Sequence, residues 1–450
     1  MPGAHLLPDL TPFRRSRDLR LVVLGELVSN LGTQAALVAL PYQLFVVTRS
    51  PLLVGLLGAV ELGPLIAMSL FGGALADRMD RRRLLLLVQV GVAGCVGGLA
   101  AVSFAGHPAL WTLYVLGGLL AGFNALQNTA YSAMVPNMVS DRALLGPALA
   151  LSYGLSSLTM VLGPGLGGIL IGVSGPKSAY LVDVVACGAM AAFVFAISPQ
   201  PPHAEAARGE SIRRSIAQGL HYVRGNRALL GSFAIDLVAM TFGMPRALFA
   251  VLAITVYHAG AGGTGLLYSA VAVGATVTAL LSGWIKHARR LGVICIWAVT
   301  AWGVAITAAG LMSSIWLAAL LLALAGGADS VSAVCRSTIN QTVTPDAMRG
   351  RMSAVFGLVV TGGPRLGDIE SGSVAGASSA RFSVVSGGLA CLAGVALIAL
   401  ACPSLVRYDA ADWLRAAPEA DQGPSADAGL GQGEGGDQGP EPEPEAVALG

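Results

Sequence analysis

Apolar residues run through this chain in long blocks, each closed by a short polar, charged or glycine–proline break. A helix needs roughly 20 consecutive apolar residues to cross the hydrocarbon core of a bilayer. By that measure the pattern predicts twelve spanning helices, at 19–47, 52–76, 84–104, 109–133, 143–173, 178–198, 228–256, 264–284, 291–312, 315–341, 352–375 and 382–403. An even number of crossings returns both termini to one side. Between the sixth and seventh blocks lies a longer polar stretch that opens Pro199-Gln-Pro201-Pro202. There Ile212, Ile216, Leu220 and Val223 recur at helical spacing among Arg213, Arg214 and Arg224, the pattern of an amphipathic helix lying at a membrane interface. The expected organisation is a basic N-terminus (1–18), a six-helix half (19–198), a linker (199–227), a second six-helix half (228–408) and a tail (409–450).

Composition agrees with a membrane protein. Charged residues make up 12% of the 450, against about 25% in soluble proteins, and mean hydropathy is +0.70. The net charge of +2 hides two opposed regions. The tail holds 10 acidic residues and one arginine, which leaves 15 acidic and 26 basic residues for the first 408. Rich in Pro, Gly, Asp and Glu, the tail has too little apolar surface to fold and is expected to be disordered. Placing the odd-numbered loops outside leaves Arg49, Lys177 and Arg381 as the external basic residues, while Arg208, Arg213, Arg214, Arg224, Arg227, Arg289, Arg290, Arg349 and Arg351 fall inside with most of the others. That asymmetry puts both termini in the cytoplasm of a cell whose inner membrane the chain spans. Met1–Pro12 lacks the pattern of a cleaved signal, so the first helix is expected to serve as its own insertion signal. The six cysteines all lie in apolar blocks with no C-x-x-C pair, and read as buried thiols.

The two halves look duplicated. Glu26-Leu-Val recurs as Asp236-Leu-Val and Gly55-Leu-Leu as Gly265-Leu-Leu, both 210 residues on; Gly117-Gly118 recurs as Gly326-Gly327 at 209. A near-constant offset across weak identities is the mark of two six-helix repeats.

The loop between helices two and three reads Gly73-Ala-Leu-Ala-Asp77-Arg78-Met-Asp80-Arg81-Arg82-Arg83. Each of its arginines would cost about 2.5–3.5 kcal/mol at the bilayer centre, which holds the loop in the cytoplasm. A glycine one turn before the Asp-Arg pair lets two helices approach closely. The segment resembles the loop 2–3 signature of the major facilitator superfamily, G-x-x-x-D-[RK]-x-G-[RK]-[RK], with Asp80 where the pattern has Gly. The resemblance implies an all-α integral membrane transporter of twelve helices in two six-helix pseudo-repeats, working by alternating access. It makes Gly73, Asp77, Arg78 and Arg82 gating candidates. The corresponding loop of the second half, Gly283-Trp-Ile-Lys286-His-Ala-Arg289-Arg290, keeps the charge but lacks the acid.

Further resemblances narrow the reading. Gly163-Pro164-Gly-Leu-Gly167-Gly168 in helix five is similar to the core of the superfamily's antiporter signature, which implies export coupled to proton entry; a packing kink is the plainer alternative. Gly326-Gly-Ala-Asp329 through Arg336, Thr344-Pro345-Asp346, Gly362-Gly363-Pro364-Arg365-Leu-Gly367 and Ala39-Leu-Pro41-Tyr42 resemble the enterobactin exporter branch, over about residues 13–408.

Ionisable groups inside a bilayer are costly, so each is a functional candidate. In the superfamily the cavity is lined by helices one, four, seven and ten. These carry Glu26, then Asn124, Gln127 and Asn128, then Asp236 and Arg246, then Asp329 and Arg336. Glu26 and Asp236, at matched positions of the repeats, are the candidate proton carriers. Asp329 and Arg336 share one helical face about 10 Å apart. At that separation they are expected to bracket a polar substrate, or to find partners on facing helices, rather than pair with each other. Glu61, just before Gly63-Pro64, is expected to face Arg365 of helix eleven. Interhelical hydrogen bonding alone would also account for the amides.

The function expected is secondary export of a small polar organic molecule, a siderophore among the candidates, in exchange for protons. Broad multidrug efflux and a non-transporting sensor signalling through the acidic tail are the alternatives. No phosphate-binding G-x-x-x-x-G-K-[ST] loop and no metal-ligand cluster is present in the sequence, so neither cofactor, metal nor enzymatic activity is expected. The expected partners are the substrate, protons and the lipid bilayer, not nucleic acid, and the expected state is a monomer.

Overall fold

The computed structural model describes residues 11–106, 108–139, 142–200, 212–345 and 348–409, and these are helical with short connections. A short α1 (Thr11–Arg15) precedes the first half: α2 (Arg17–Thr48), α3 (Pro51–Arg78), α4 (Arg81–Phe104), α5 (Leu110–Met134), α6 (Arg142–Ser174) and α7 (Pro176–Phe195). The amphipathic stretch of the linker forms α8 (Ile212–Gly225). The second half holds α9 (Arg227–Phe242), α10 (Leu248–Thr255), α11 (Gly260–Leu281), α12 (Leu291–Leu311), α13 (Ile315–Val343), α14 (Arg349–Ala377) and α15 (Ala380–Ala401), closed by α16 (Pro403–Val406). Residues 201–211, in the linker, and 410–450, in the tail, lie outside the described residues.

Local chemistry sets the helix ends. Ser16 accepts a hydrogen bond from the Leu19 N–H at 3.2 Å and starts α2. Arg49 turns left-handed (φ 54°) to end it, and Pro51 opens α3 two residues later. Asp80, the residue that departs from the loop signature, is the N-cap of α4: its carboxylate accepts from the Arg83 N–H at 3.1 Å. Pro147 and Pro164 sit inside a continuous α6.

Among the described residues ten helices are long and apolar enough to cross a membrane. Two positions of the expected twelve fall short, each for a physical reason. Helix seven, expected as one span over 228–256, is broken at Gly243–Ala247 into a 16-residue α9 and an eight-residue α10. Pro245 has no N–H to donate and Gly243 ends α9, so the ladder cannot run through. Helix eleven, α14, is unbroken but carries Arg365, Asp368 and Glu370 within its span. With these two counted, the arrangement is consistent with two sets of six.

Within each half, helices pack through a continuous apolar core, while large side chains such as Leu87, Val90, Val173, Trp297 and Leu400 point outward, as lipid-facing surfaces require. The halves join along α3 against α14 and α6 against α11. Both crossings are built on glycine pairs. A Cβ on Gly55 would sit 2.7 Å from the Gly372 Cα; one on Gly265 would sit 2.5 Å from the Pro164 carbonyl oxygen and 3.0 Å from the Gly168 Cα. Both lie at the ends of their helices remote from the Arg78–Arg83 loop, so the molecule is closed at its arginine-poor end.

Candidate substrate and coupling site

Among the described residues, two cavities lie between the halves and another lies within the first half. One of about 380 Å³ lies in the first half, between α2, α5 and α6. It is lined by Glu26, Asn30, Asn124, Gln127 and Asn128 on one side and by Ser152, Ser156 and Thr159 on the other. One of its amides is held in place: Gln127 donates through Nε2 to the Glu26 carboxylate at 3.5 Å and to Ser29 Oγ at 3.3 Å. Glu26 is buried, with an amide rather than a cation beside it.

A second cavity, about 210 Å³, lies where α11, α12 and α13 face α6 and the break in helix seven. Its walls include Phe249, Tyr268 and Trp302, with Arg246 and Asp329 as the charged groups. Phe249 and Tyr268 meet edge to face, ring centroids 4.9 Å apart. A third, about 100 Å³, is lined by residues of both halves, among them Glu61, Asn124, Arg246, Arg365 and Asp368.

Asp329 and Arg336 do pair, which corrects the expectation that seven residues of separation keep them apart. Helical side chains lean toward the helix N-terminus, so the long arginine reaches back over two turns. Its guanidinium lies 2.9 Å from Asp236 Oδ1 of α9 and 3.6 Å from Asp329 Oδ1. The trio is graded in exposure: Asp236 1%, Arg336 3% and Asp329 26%. Asp236 is therefore sealed behind the arginine, and Asp329 is the carboxylate that meets the cavity.

Glu61 and Arg365 stand 2.9 Å apart and join the first half to the second, about two turns beyond the glycine crossing of α3 and α14. Non-helical backbone at membrane depth is tolerated only where protein satisfies it, and three helices do so at the break. Trp302 Nε1 donates to the Gly243 carbonyl at 2.7 Å, the Tyr268 hydroxyl to the Arg246 carbonyl at 3.0 Å, and the Ala247 N–H to Asp368 Oδ1 at 3.0 Å. Tyr268 and Trp302 are residues that sequence reasoning missed, and Asp368 is an intramembrane acid whose task it did not identify. The signal that could have exposed all three is Gly243-Met-Pro245 inside a predicted span, which demands partners for the freed backbone.

The remaining candidates divide. Gly163 and Gly167 seat α6 against α2, at Gln34 and Ala35, while Pro164 and Gly168 face α11. The antiporter-like segment is thus the junction of three helices. Arg82 donates to the Val194 and Phe195 carbonyls at 3.1 and 2.6 Å and lies over the Phe195 ring, so it caps the end of α7. Asp80 also accepts from the Gln200 N–H at 3.1 Å, tying the loop to the start of the linker. Arg78 is exposed at the end of α3; the side chains of Gly73 and Asp77 lie outside the described residues.

A helical membrane bundle of two halves, closed at one end around polar, charge-bearing cavities, has the architecture of a membrane transporter. Residues 8–424 match the transmembrane secretion effector family, and the chain belongs to that family within the major facilitator superfamily. It is 30% identical over 398 residues to the enterobactin exporter EntS of Citrobacter koseri, a match covering 85% of this chain and 93% of that one. The EntS of Shigella boydii serotype 4 is 30% identical over 358 residues, 78% of this chain and 83% of its own. Among solved structures, a POT family transporter in complex with 5-aminolevulinic acid superposes with a TM-score of 0.69 at 10% identity, over 87% of this chain and 97% of that one. A D-xylose–proton symporter gives 0.63 at 14%, over 84% and 96%. The last two establish the fold alone.

Proposed function

We propose that the protein exports a small polar organic molecule, in the manner of a siderophore exporter, from the cytoplasm across the inner membrane in exchange for protons. The observation that carries the reading is the 380 Å³ cavity of amides and hydroxyls around Glu26, suited to an oxygen-rich cargo and provided with a carboxylate to carry a proton. The names of the curated relatives support export and a siderophore cargo. The positive-inside rule supports a cytoplasmic Arg78–Arg83 loop. With that orientation the glycine crossings close the outer end, and the halves rock apart there to release cargo. Glu61–Arg365 is the latch that parts with them, Arg82 and the loop around Gly73, Asp77 and Arg78 steady the inner end, and the Gly163–Gly168 junction transmits the motion. Glu26 and the Asp236–Arg336–Asp329 trio are the proton-exchanging groups of the two halves. The chain works as a monomer.

The test compares a strain lacking the gene with its parent under low iron, by mass spectrometry of medium and cell pellet. A catecholate or hydroxamate that leaves the medium and accumulates in the cells is the expected result. Unchanged siderophores in both compartments would refute the siderophore cargo. Broad drug efflux is the second reading, favoured by the Phe249–Tyr268–Trp302 wall with Asp329 in it; drug sensitivity of the same strain tests it.

A further inference from the structure

Helix α7 carries one acid inside its span, and no cation meets it. Asp183 lies seven residues, about 10 Å, from the start of α7 at the arginine-poor end. It is 0% exposed. Its Oδ1 accepts from the Cys187 thiol at 3.9 Å, and its Oδ2 has no hydrogen-bond partner. Among the described residues no arginine, lysine or histidine stands within ion-pairing distance of it.

The surrounding helices supply no counter-charge. On α7 itself, Tyr180 donates to Gln43 Oε1 at 2.8 Å, and Lys177 lies over the Phe104 ring, 4.9 Å from its centroid. Against α7 pack α2, α4 and α6. Helix α2 has Arg17, Asp18 and Arg20 at its start and Arg49 at its cap; α4 has Arg81, Arg82 and Arg83 at its start and the Cys95 thiol further in; α6 starts with Arg142. Opposite the carboxyl is Gly32 of α2. A Cβ there would sit 2.6 Å from Asp183 Oδ1 and 2.8 Å from the Asp183 Cα, so the acid fills a hollow that glycine leaves. An isolated carboxylate in such a place is far costlier than a neutral carboxyl, and a proton removes the charge without any partner.

From Gly32, α2 leads toward the 380 Å³ cavity. Ser29 is fully buried, and its Oγ accepts from Gln127, which also donates to Glu26. Glu26 stands six residues from Gly32, about 9 Å along the helix. Two acids, neither beside a cation, thus lie at different depths of one half with a buried hydroxyl between them.

Resting on the proton-exchange reading, we propose that Asp183 is a second proton-binding site of the first half, ahead of Glu26 on the path of an entering proton. In this closed form the carboxyl holds its proton as the neutral acid, sealed between α2 and α7. The carboxylate takes up a proton from the outer side when water reaches that contact. It returns to the carboxylate when the proton moves on toward Glu26. Passage through the half then needs both acids.

The experiment has two arms. In the first, infrared spectra of the purified full chain in lipid bilayers at neutral pH are compared with those of Asp183→Asn. The parent is expected to show the carbonyl stretch of a neutral carboxyl that Asp183→Asn lacks and Glu26→Gln retains. In the second, the strain lacking the gene carries the parent or Asp183→Asn, and siderophore in low-iron medium is followed while a pH gradient is imposed across the inner membrane. Export by the parent is expected to rise with the gradient; export by the variant is expected to be at least tenfold lower and unresponsive. Thermal melts report folding, and Asp183→Ala takes both arms if Asp183→Asn does not fold. Absence of the band, or a folded variant that exports and responds as the parent does, would overturn the assignment. Parent export that ignores the gradient retires proton exchange itself, whereas a responsive parent matched by its variant retires the Asp183 site alone. Siderophores unchanged by loss of the gene retire that cargo alone, and a drug to which the strain has become sensitive then serves as the probe.

Discussion

Substituting Gly265 by Val should hold the transporter open at its outer end. In the closed arrangement a Cβ at this position meets the Pro164 carbonyl oxygen at 2.5 Å and the Gly168 Cα at 3.0 Å. Both are backbone atoms, which cannot rotate away, and carbon atoms rest at about 3.5–4.0 Å. Relief therefore requires α6 and α11 to separate by about 1 Å or more where they cross. Overpacking of this kind costs about 1–3 kcal/mol. It falls only on the conformer in which the helices touch, so the balance between outer-closed and outer-open moves about 5–150-fold. The assay uses a Leu57→Cys background and labels whole cells with a membrane-impermeant maleimide; Leu57 is buried and lines the 100 Å³ cavity between the halves. Labelling should rise with Gly265→Val and export should fall. Gly172→Ala on α6, where an added Cβ meets nothing within 4 Å, is the control and should change neither. Unchanged labelling at position 57 with full export would refute the idea that the glycine crossing closes the outer end.

Other outcomes follow from the charged groups and caps. Arg336→Gln leaves Asp236 and Asp329 without their cation and should destabilise the purified protein by about 3–5 kcal/mol in thermal or denaturant unfolding. Asp329→Asn, which leaves the 2.9 Å Arg336–Asp236 pair in place, should cost far less stability while reducing proton-driven export. Glu26→Gln keeps a group that can bond Gln127 but removes the proton site, so export should lose its response to an imposed pH gradient while substrate binding persists. Asp80→Ala removes the cap of α4 and the bond to Gln200, at a cost of about 1 kcal/mol in the melt.

The spans of the first half were legible because an apolar run of fixed length has one physical meaning in a bilayer, and the repeat offset doubled the signal. Helix seven was legible as a span but not as two pieces, since hydropathy does not register whether a backbone ladder is continuous. The Glu61–Arg365 contact could be anticipated from two unmatched charges on helices that face each other. The Arg336 trio could not, because residue counting measures the distance between backbones and ignores the reach and lean of a long side chain. Asp80 shows the converse limit. A motif comparison registers it as a departure, whereas the structure gives it a local task, capping α4 and gripping Gln200, that glycine could not perform.

The interrupted helix also bears on how the protein enters the membrane. An α9 of 16 residues and an α10 of eight are each too short to be stable alone in lipid, and the open backbone between them has no protein to bond while the chain is emerging. The other weakly apolar segment is α14, whose Asp368 supplies one of the missing bonds and whose Gly367 packs on the Met240 carbonyl. The two segments least able to partition by themselves are each other's neighbours. Helix seven is synthesised about 100 residues ahead of α14, so its settled form has to wait for a partner not yet made. Biogenesis of the second half is therefore not a procession of independent insertions; it ends with a late, paired docking of segments seven and eleven, and truncation before residue 349 should leave helix seven exposed to quality-control proteolysis.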